Sequence, residues 1–166
     1  MKLLKIGNKV WNIIDQTNQK NNLPETNIVK VPDFMTGSLN EVAFKSLISL
    51  IIMSMTREEY VVKSTHNLII HGCTPENLLN TSHSDIVNMI KSVRFYNNKA
   101  KYIKQSARLL LDKFDGKVPD KFEQIKEFPG MGTVSSLMMC QFVFDNTQGV
   151  AVDSHIIRVG NELGWC

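Results

Sequence analysis

Apolar residues recur at three- and four-residue spacing along almost all of this chain, and no segment alternates apolar and polar as a half-buried strand must. That restricts the fold to the all-α class. The spacing predicts a first helix over residues 6–19, then a connecting segment over 21–38 that carries Pro24 and Pro32. Helices follow over 40–55 and 56–72, the latter ended by Gly72. Thr74 before Pro75 reads as an N-cap followed by proline at the first helical position. Further helices are expected over 82–93, 98–114, 120–128, 133–144 and 154–165. The greasiest stretch, "LISLIIMSM" at 47–55, is about half as long as a membrane span. It reads as the central buried helix.

Composition narrows the function. At 166 residues with 43% hydrophobic and 21% charged residues, the chain can bury a core and behave as a globular domain. A net charge of +3 permits a phosphate-bearing partner without demanding one. Cys73, Cys140 and Cys166 are odd in number, far apart and without C-x-x-C spacing, so neither a disulfide framework nor a structural zinc site is expected. His66, His71 and His83 show no metal-ligand spacing. The first fifteen residues lack the apolar run of a secretory signal.

Two short stretches carry the candidate chemistry. "FPGMGTV" (128–134) places Pro129, Gly130 and Gly132 between two helices. Glycines there let another backbone approach, and the following helix opens with unpaired amides at the positive end of its dipole. That combination suits a phosphate. An ordinary helix–turn–helix bend is the simpler account of the turn alone. "AVDSHIIRV" (151–159) opens a helix with Asp153. An N-cap is the common job of such an aspartate. The same ionised carboxylate can also stabilise an oxocarbenium-like sugar or activate a water. His155 fits either a structural or an acid role.

Taken together, residues 127–165 resemble the helix-hairpin-helix segment and catalytic loop of endonuclease III-type DNA glycosylases. That family reads L-P-G-V-G-x-K and then A-V-D-T-H-x-x-R-x-x-N-R-L; here stand Phe128, Pro129, Gly130, Met131 and Gly132, then Ala151, Val152, Asp153, Ser154, His155, Arg158, Asn161 and Leu163. Upstream, "FYNNKAKYIKQ" and "LISLIIMSMTREE" resemble the family's K-A segment, in its eukaryotic branch, and the helix leading to its L-S-x-Q-T-x-D loop. The likeness covers most of residues 40–165.

The resemblance implies a six-helix barrel domain over 40–150 that includes a helix-hairpin-helix over 120–144. It implies a catalytic Asp loop over 151–166, and an N-terminal helix and linker over 1–39 that belong to a second helical domain, here truncated. It implies double-stranded DNA with a damaged base as partner, the base being an oxidised pyrimidine flipped from the stack. Asp153 would serve glycosidic bond cleavage. Phe128 to Thr133 would grip a backbone phosphate, with Ser154 and His155 beside it. Main-chain carbonyls of Lys126, Phe128 and Met131 would hold a monovalent cation. A monomer without membrane association is expected, in the nucleus, with the mitochondrion as alternative.

Three departures qualify this expectation. The family's lysine nucleophile falls on Val134, which has no amine for a Schiff base, so the lyase step is expected to be lost. Lys126 lies on the other side of the turn and is no evident substitute. The family's [4Fe–4S] cluster needs four cysteines beyond the Asp loop; the sequence ends at Cys166, and no cofactor is expected. The glutamine that fills the gap left by a flipped base falls on Met55, an apolar wedge, and the loop's aspartate on Glu58. The readings left open are a monofunctional glycosylase, a DNA-binding module whose chemistry has decayed, and a truncated product without function.

Overall fold

A computed structural model describes residues 37–165, and all regular structure among them is helical. The chain divides into two units, Met1–Pro32 and Asp33–Cys166. The predicted helix over 6–19 and nearly all of the linker lie outside the described residues.

Eight helices follow: α1 Leu39–Met53, α2 Glu58–Gly72, α3 Pro75–Asn80, α4 His83–Ile90, α5 Tyr96–Phe114, α6 Phe122–Ile125, α7 Thr133–Phe144 and α8 Ser154–Glu162. α1 starts at a capping box: the Ser38 hydroxyl accepts from the Glu41 amide, and the Glu41 carboxylate accepts from the Ser38 amide. It buries Ala43, Phe44, Leu47, Ile48, Ile51 and Ile52 against α2, α5 and α7, as expected of the central helix. α5 is the second hub, packing on α1, α3 and α4. Thr74 caps α3 by accepting from the Asn77 amide at 3.2 Å, with Pro75 at the first helical position. No helix among the described residues is long and apolar enough to cross a membrane.

The helix expected over 120–128 contracts to the single turn of α6. Beyond it the chain tightens into three-residue bonds, Glu127 N to Gln124 O and Phe128 N to Ile125 O. Two causes act together. Pro129 disfavours helical geometry at Phe128, and the tighter turn drives Phe128 into the core, where it stacks on Phe114 with ring centroids 5.6 Å apart. α5 begins two residues earlier than its apolar spacing indicates, because Phe95 takes a left-handed conformation that starts the helix at Tyr96.

Phe44→Ala should cost about 3–5 kcal/mol, because a ring buried in a packed core leaves a cavity. Ile70→Ala, on the outer face of α2 at 73% exposure, should stay within about 0.5 kcal/mol. Urea unfolding of the two variants at one temperature checks the contrast.

Candidate nucleic-acid interface

The turn between α6 and α7 is built from buried anchors and an open tip. Phe128 and Met131 are buried, and the Met131 amide donates to the Phe128 carbonyl at 3.0 Å. The two glycines do different work. Gly130 has φ +87°, and a Cβ there would sit 2.9 Å from Tyr102 Cδ2 and 3.3 Å from Ile51 Cγ2. It is needed for both conformation and space. Gly132 has φ −94°, which any residue adopts, and a Cβ there would meet nothing within 4 Å. That side of the turn therefore faces outward. Gly132 is the N-cap of α7 and no side chain caps this end, so the first-turn amides, from Thr133 onward, have no side-chain partner. Thr133 is exposed and Val134 half-buried. Lys126 places its ammonium over the Phe122 ring, 5.5 Å from the centroid.

Asp153 is the N-cap of α8. Its Oδ1 accepts from the Ile156 amide at 2.9 Å, and its carbonyl accepts from the Ile157 amide at 3.1 Å. The carboxylate is half-exposed, while Ser154 and His155 in the first turn are exposed. The cap leaves Oδ2 uncommitted within this motif.

Met55 lies at the tip of the turn that follows α1. The turn closes through Thr56 N to Met53 O at 3.0 Å, with Ser54 at φ −50°, ψ 119° and Met55 at φ +53°. This is the pattern of a type II turn, which ordinarily wants glycine at its third position. A methionine there stores about 1–3 kcal/mol of strain, yet its side chain is 66% exposed. Phe95, the other bulky left-handed residue, is also exposed and has the Arg94 guanidinium over its ring at 5.1 Å. Met55, Arg57, Lys91, Arg94 and Phe95 line one cleft of about 420 Å³. A second of about 320 Å³ shares Phe95 and reaches Ser54, Lys99, Tyr102 and Gly130. The turn bearing Met55 and the hairpin thus border two clefts that share Phe95, one of them lined by three cationic side chains.

Sequence reasoning missed Lys99. It is 4% exposed, and its ammonium donates to the carbonyls of Ile52 at 2.7 Å and Ser54 at 2.5 Å and to Thr56 Oγ1 at 2.9 Å. No carboxylate lies within ion-pair distance among the described residues. Burial pushes its pKa down to about 8. All three N–H donors are committed, so the group is held as a donor and is not a free amine standing in for the one absent at Val134. The sequence signals for it were its place as the lysine of the K-A segment and its position on a helix face that otherwise points inward, beside Ala100 and Ile103.

Cys73 and Cys140 are single and buried; burial raises the Cys73 thiol to about 12 and the Cys140 thiol as well, so both are unreactive. Among the described residues no three His, Cys, Asp or Glu side chains gather as a metal site.

A helical domain organised around an anchored Pro-Gly-x-Gly hairpin, followed by an aspartate-capped helix, is a helix-hairpin-helix domain. The family model described as the HhH-GPD superfamily of base excision DNA repair proteins matches residues 48–166, and the chain belongs to that family. It is 32% identical over 126 residues to an endonuclease III homologue of Schizosaccharomyces pombe, which covers 74% of this chain and 36% of that one. It is 33% identical over 122 residues to endonuclease III of Thermotoga maritima, covering 74% and 57%. The chain thus spans between about a third and somewhat over half of these relatives. Among solved structures, a trapped endonuclease III–DNA covalent intermediate superposes with a TM-score of 0.73 at 24% identity, covering 96% of this chain and 70% of that one. A thermostable thymine-DNA glycosylase superposes at 0.70 with 25% identity, covering 82% and 60%.

Two stability measurements follow. Gly130→Ala should lose about 1–2 kcal/mol from its left-handed backbone alone, more if Tyr102 cannot shift, whereas Gly132→Ala should lose under about 1 kcal/mol; paired urea titrations report both. For Lys99, the unfolded chain keeps the proton to about pH 10.4 and the folded chain only to about 8. Between these values the unfolded state binds more protons, so this group makes stability rise with pH. The unfolding free energy of the native protein should therefore gain on that of Lys99→Met from pH 7.5 to pH 10, and a flat difference would refute the lowered pKa.

Proposed function

We propose that this protein is a DNA N-glycosylase of endonuclease III type acting in base excision repair. It removes oxidised pyrimidines from double-stranded DNA without cutting the strand. The observation that carries this reading is the pairing of an intact, open hairpin with a half-exposed Asp153 carboxylate at a helix N-terminus. The hairpin amides around Gly130 to Thr133 bind a backbone phosphate, which positions the strand without reading sequence. The carbonyls of Lys126, Phe128 and Met131 hold a monovalent cation at the same turn; the Phe128 oxygen that accepts from Met131 keeps a second lone pair for it. Ser154 and His155 contact the backbone beside the lesion.

Asp153 does the chemistry. One carboxylate oxygen is fixed by the Ile156 amide at the positive end of the α8 dipole, so the other is free to orient a water or stabilise positive charge on the sugar. Met55 wedges into the stack where the base leaves. Arg57, Lys91 and Arg94 offset phosphate charge along the neighbouring cleft. Val134 supplies no amine, Lys126 lies against Phe122, and Lys99 has spent its donors, so no Schiff base forms and the abasic product is left uncut. The protein acts as a monomer in the nucleus, a placement supported by the eukaryotic relatives in yeast and mammals.

The test is a duplex with one oxidised pyrimidine, incubated with the protein and split into samples with and without hot alkali. Strand breaks are expected only after alkali, and Asp153→Asn should remove them. Borohydride should trap no adduct with the native protein and some with Val134→Lys. An adduct with the native protein would sink the claim about Val134. No breaks in either sample, with salt-dependent binding retained, would make the protein a non-catalytic DNA-binding module.

A further inference from the structure

Lys99 is expensive to keep. It sits at 4% exposure without a carboxylate partner, and if packing were its whole purpose a methionine would serve at no desolvation cost. Its three hydrogen bonds show where the return lies. They converge on one short stretch, residues 52–56, from a helix 43 to 47 positions away. α1 ends there without the devices that usually finish a helix: its last turn has no basic residue, and its C-cap is Ser54 with no glycine following. The ammonium supplies both a donor for an orphan carbonyl and a positive charge at the negative end of the α1 dipole. The same ammonium holds Thr56 Oγ1, whose hydroxyl in turn donates to the Ser54 carbonyl at 3.2 Å. Ser54 and Thr56 flank Met55 on both sides, and Met55 is the residue in the unfavourable left-handed conformation.

We propose that Lys99 is a positioning residue: seated on the end of α1, it clamps the two neighbours of Met55 and so holds the strained turn that presents the methionine outward. A left-handed bulky residue persists only where its surroundings over-determine it, and the clamp from α5 ties this turn to a distant helix. The proposal rests on Met55 facing DNA as argued above for what the clamp achieves, though not for the clamp itself.

Amide hydrogen exchange separates the two. In Lys99→Met the Thr56 amide, bonded to the Met53 carbonyl, should exchange about tenfold faster than in the native protein, while the Met131 amide in the hairpin keeps its rate. Lys99→Arg, which retains the charge, should recover part of the protection. Adding Met55→Gly to Lys99→Met should recover more, because glycine adopts the turn without strain. Loss of packing alone would not respond to that second change. The same proteins are then titrated onto a duplex bearing a tetrahydrofuran abasic analogue and onto its undamaged counterpart. Lys99→Met should lose about tenfold in preference for the abasic duplex while keeping its affinity for the undamaged one, and the glycine double variant should not regain that preference. Should Lys99→Met fail to fold, Thr56→Val removes one oxygen of the three and must loosen the turn in the same direction. Unchanged exchange at Thr56, or equal acceleration at Met131, overturns the clamp. A native protein with no preference for the abasic duplex overturns the DNA-facing role of Met55, and the exchange result still decides the clamp.

Discussion

A helix buried along its length must still find partners for the carbonyls of its last turn, and in this protein that need falls on α1. Six of its side chains are buried in the core, and α2, α5 and α7 all pack on it. Its last turn holds the buried Ile51 and Ile52, and the chain reaches the surface at Met53. A single ammonium from α5 meets the need, which couples the two helices that carry most of the packing. The same end of α1 supports the hairpin, since Ile51 is one of the two side chains that a Cβ at Gly130 would strike. Core, turn and hairpin are thus set by one helix terminus.

Much of this is written locally. Thr74 and Pro75 announce the start of α3, Asp153 announces α8, and the apolar run at 47–55 announces the helix around which the others gather. Each signal acts within a turn or two of chain, where spacing and capping are decided by neighbours. What could not be read depends on contacts between distant segments. Nothing in "MSMTRE" indicates a left-handed Met55, because methionine carries no preference for that conformation; the turn is imposed by bonds from a residue more than forty positions away. The shortening of the expected helix at 120–128 has the same origin. Its apolar spacing is helical, but the burial of Phe128 against Phe114 favours a tighter coil.

The two glycines of the hairpin make a similar point about function. They look equivalent in the sequence, yet the structure divides them into one that allows packing and one that leaves a surface open. Gly130 belongs to the architecture, since Tyr102 and Ile51 fill the space where its side chain would be. Gly132 belongs to whatever meets the outer face of the turn. Only the second can be read as shaped for a ligand, and it lies at the helix end that no side chain caps.

This division bears on how a repair fold can keep binding while its chemistry changes. The grip on a phosphate depends on backbone amides and on the shape of a turn, so it tolerates many side chains at the next position. A Schiff base depends on one amine at that position and tolerates none but lysine. Substituting valine after Thr133 therefore leaves the helix start, the open face of Gly132 and the buried anchors Phe128 and Met131 untouched. The carboxylate of Asp153 is likewise secured by its own helix, through a bond to the Ile156 amide that involves no part of the hairpin. On the proposed function, holding DNA, assisting loss of a base and cutting the strand thus rest on separable groups, and the residue at 134 bears on the last of them alone.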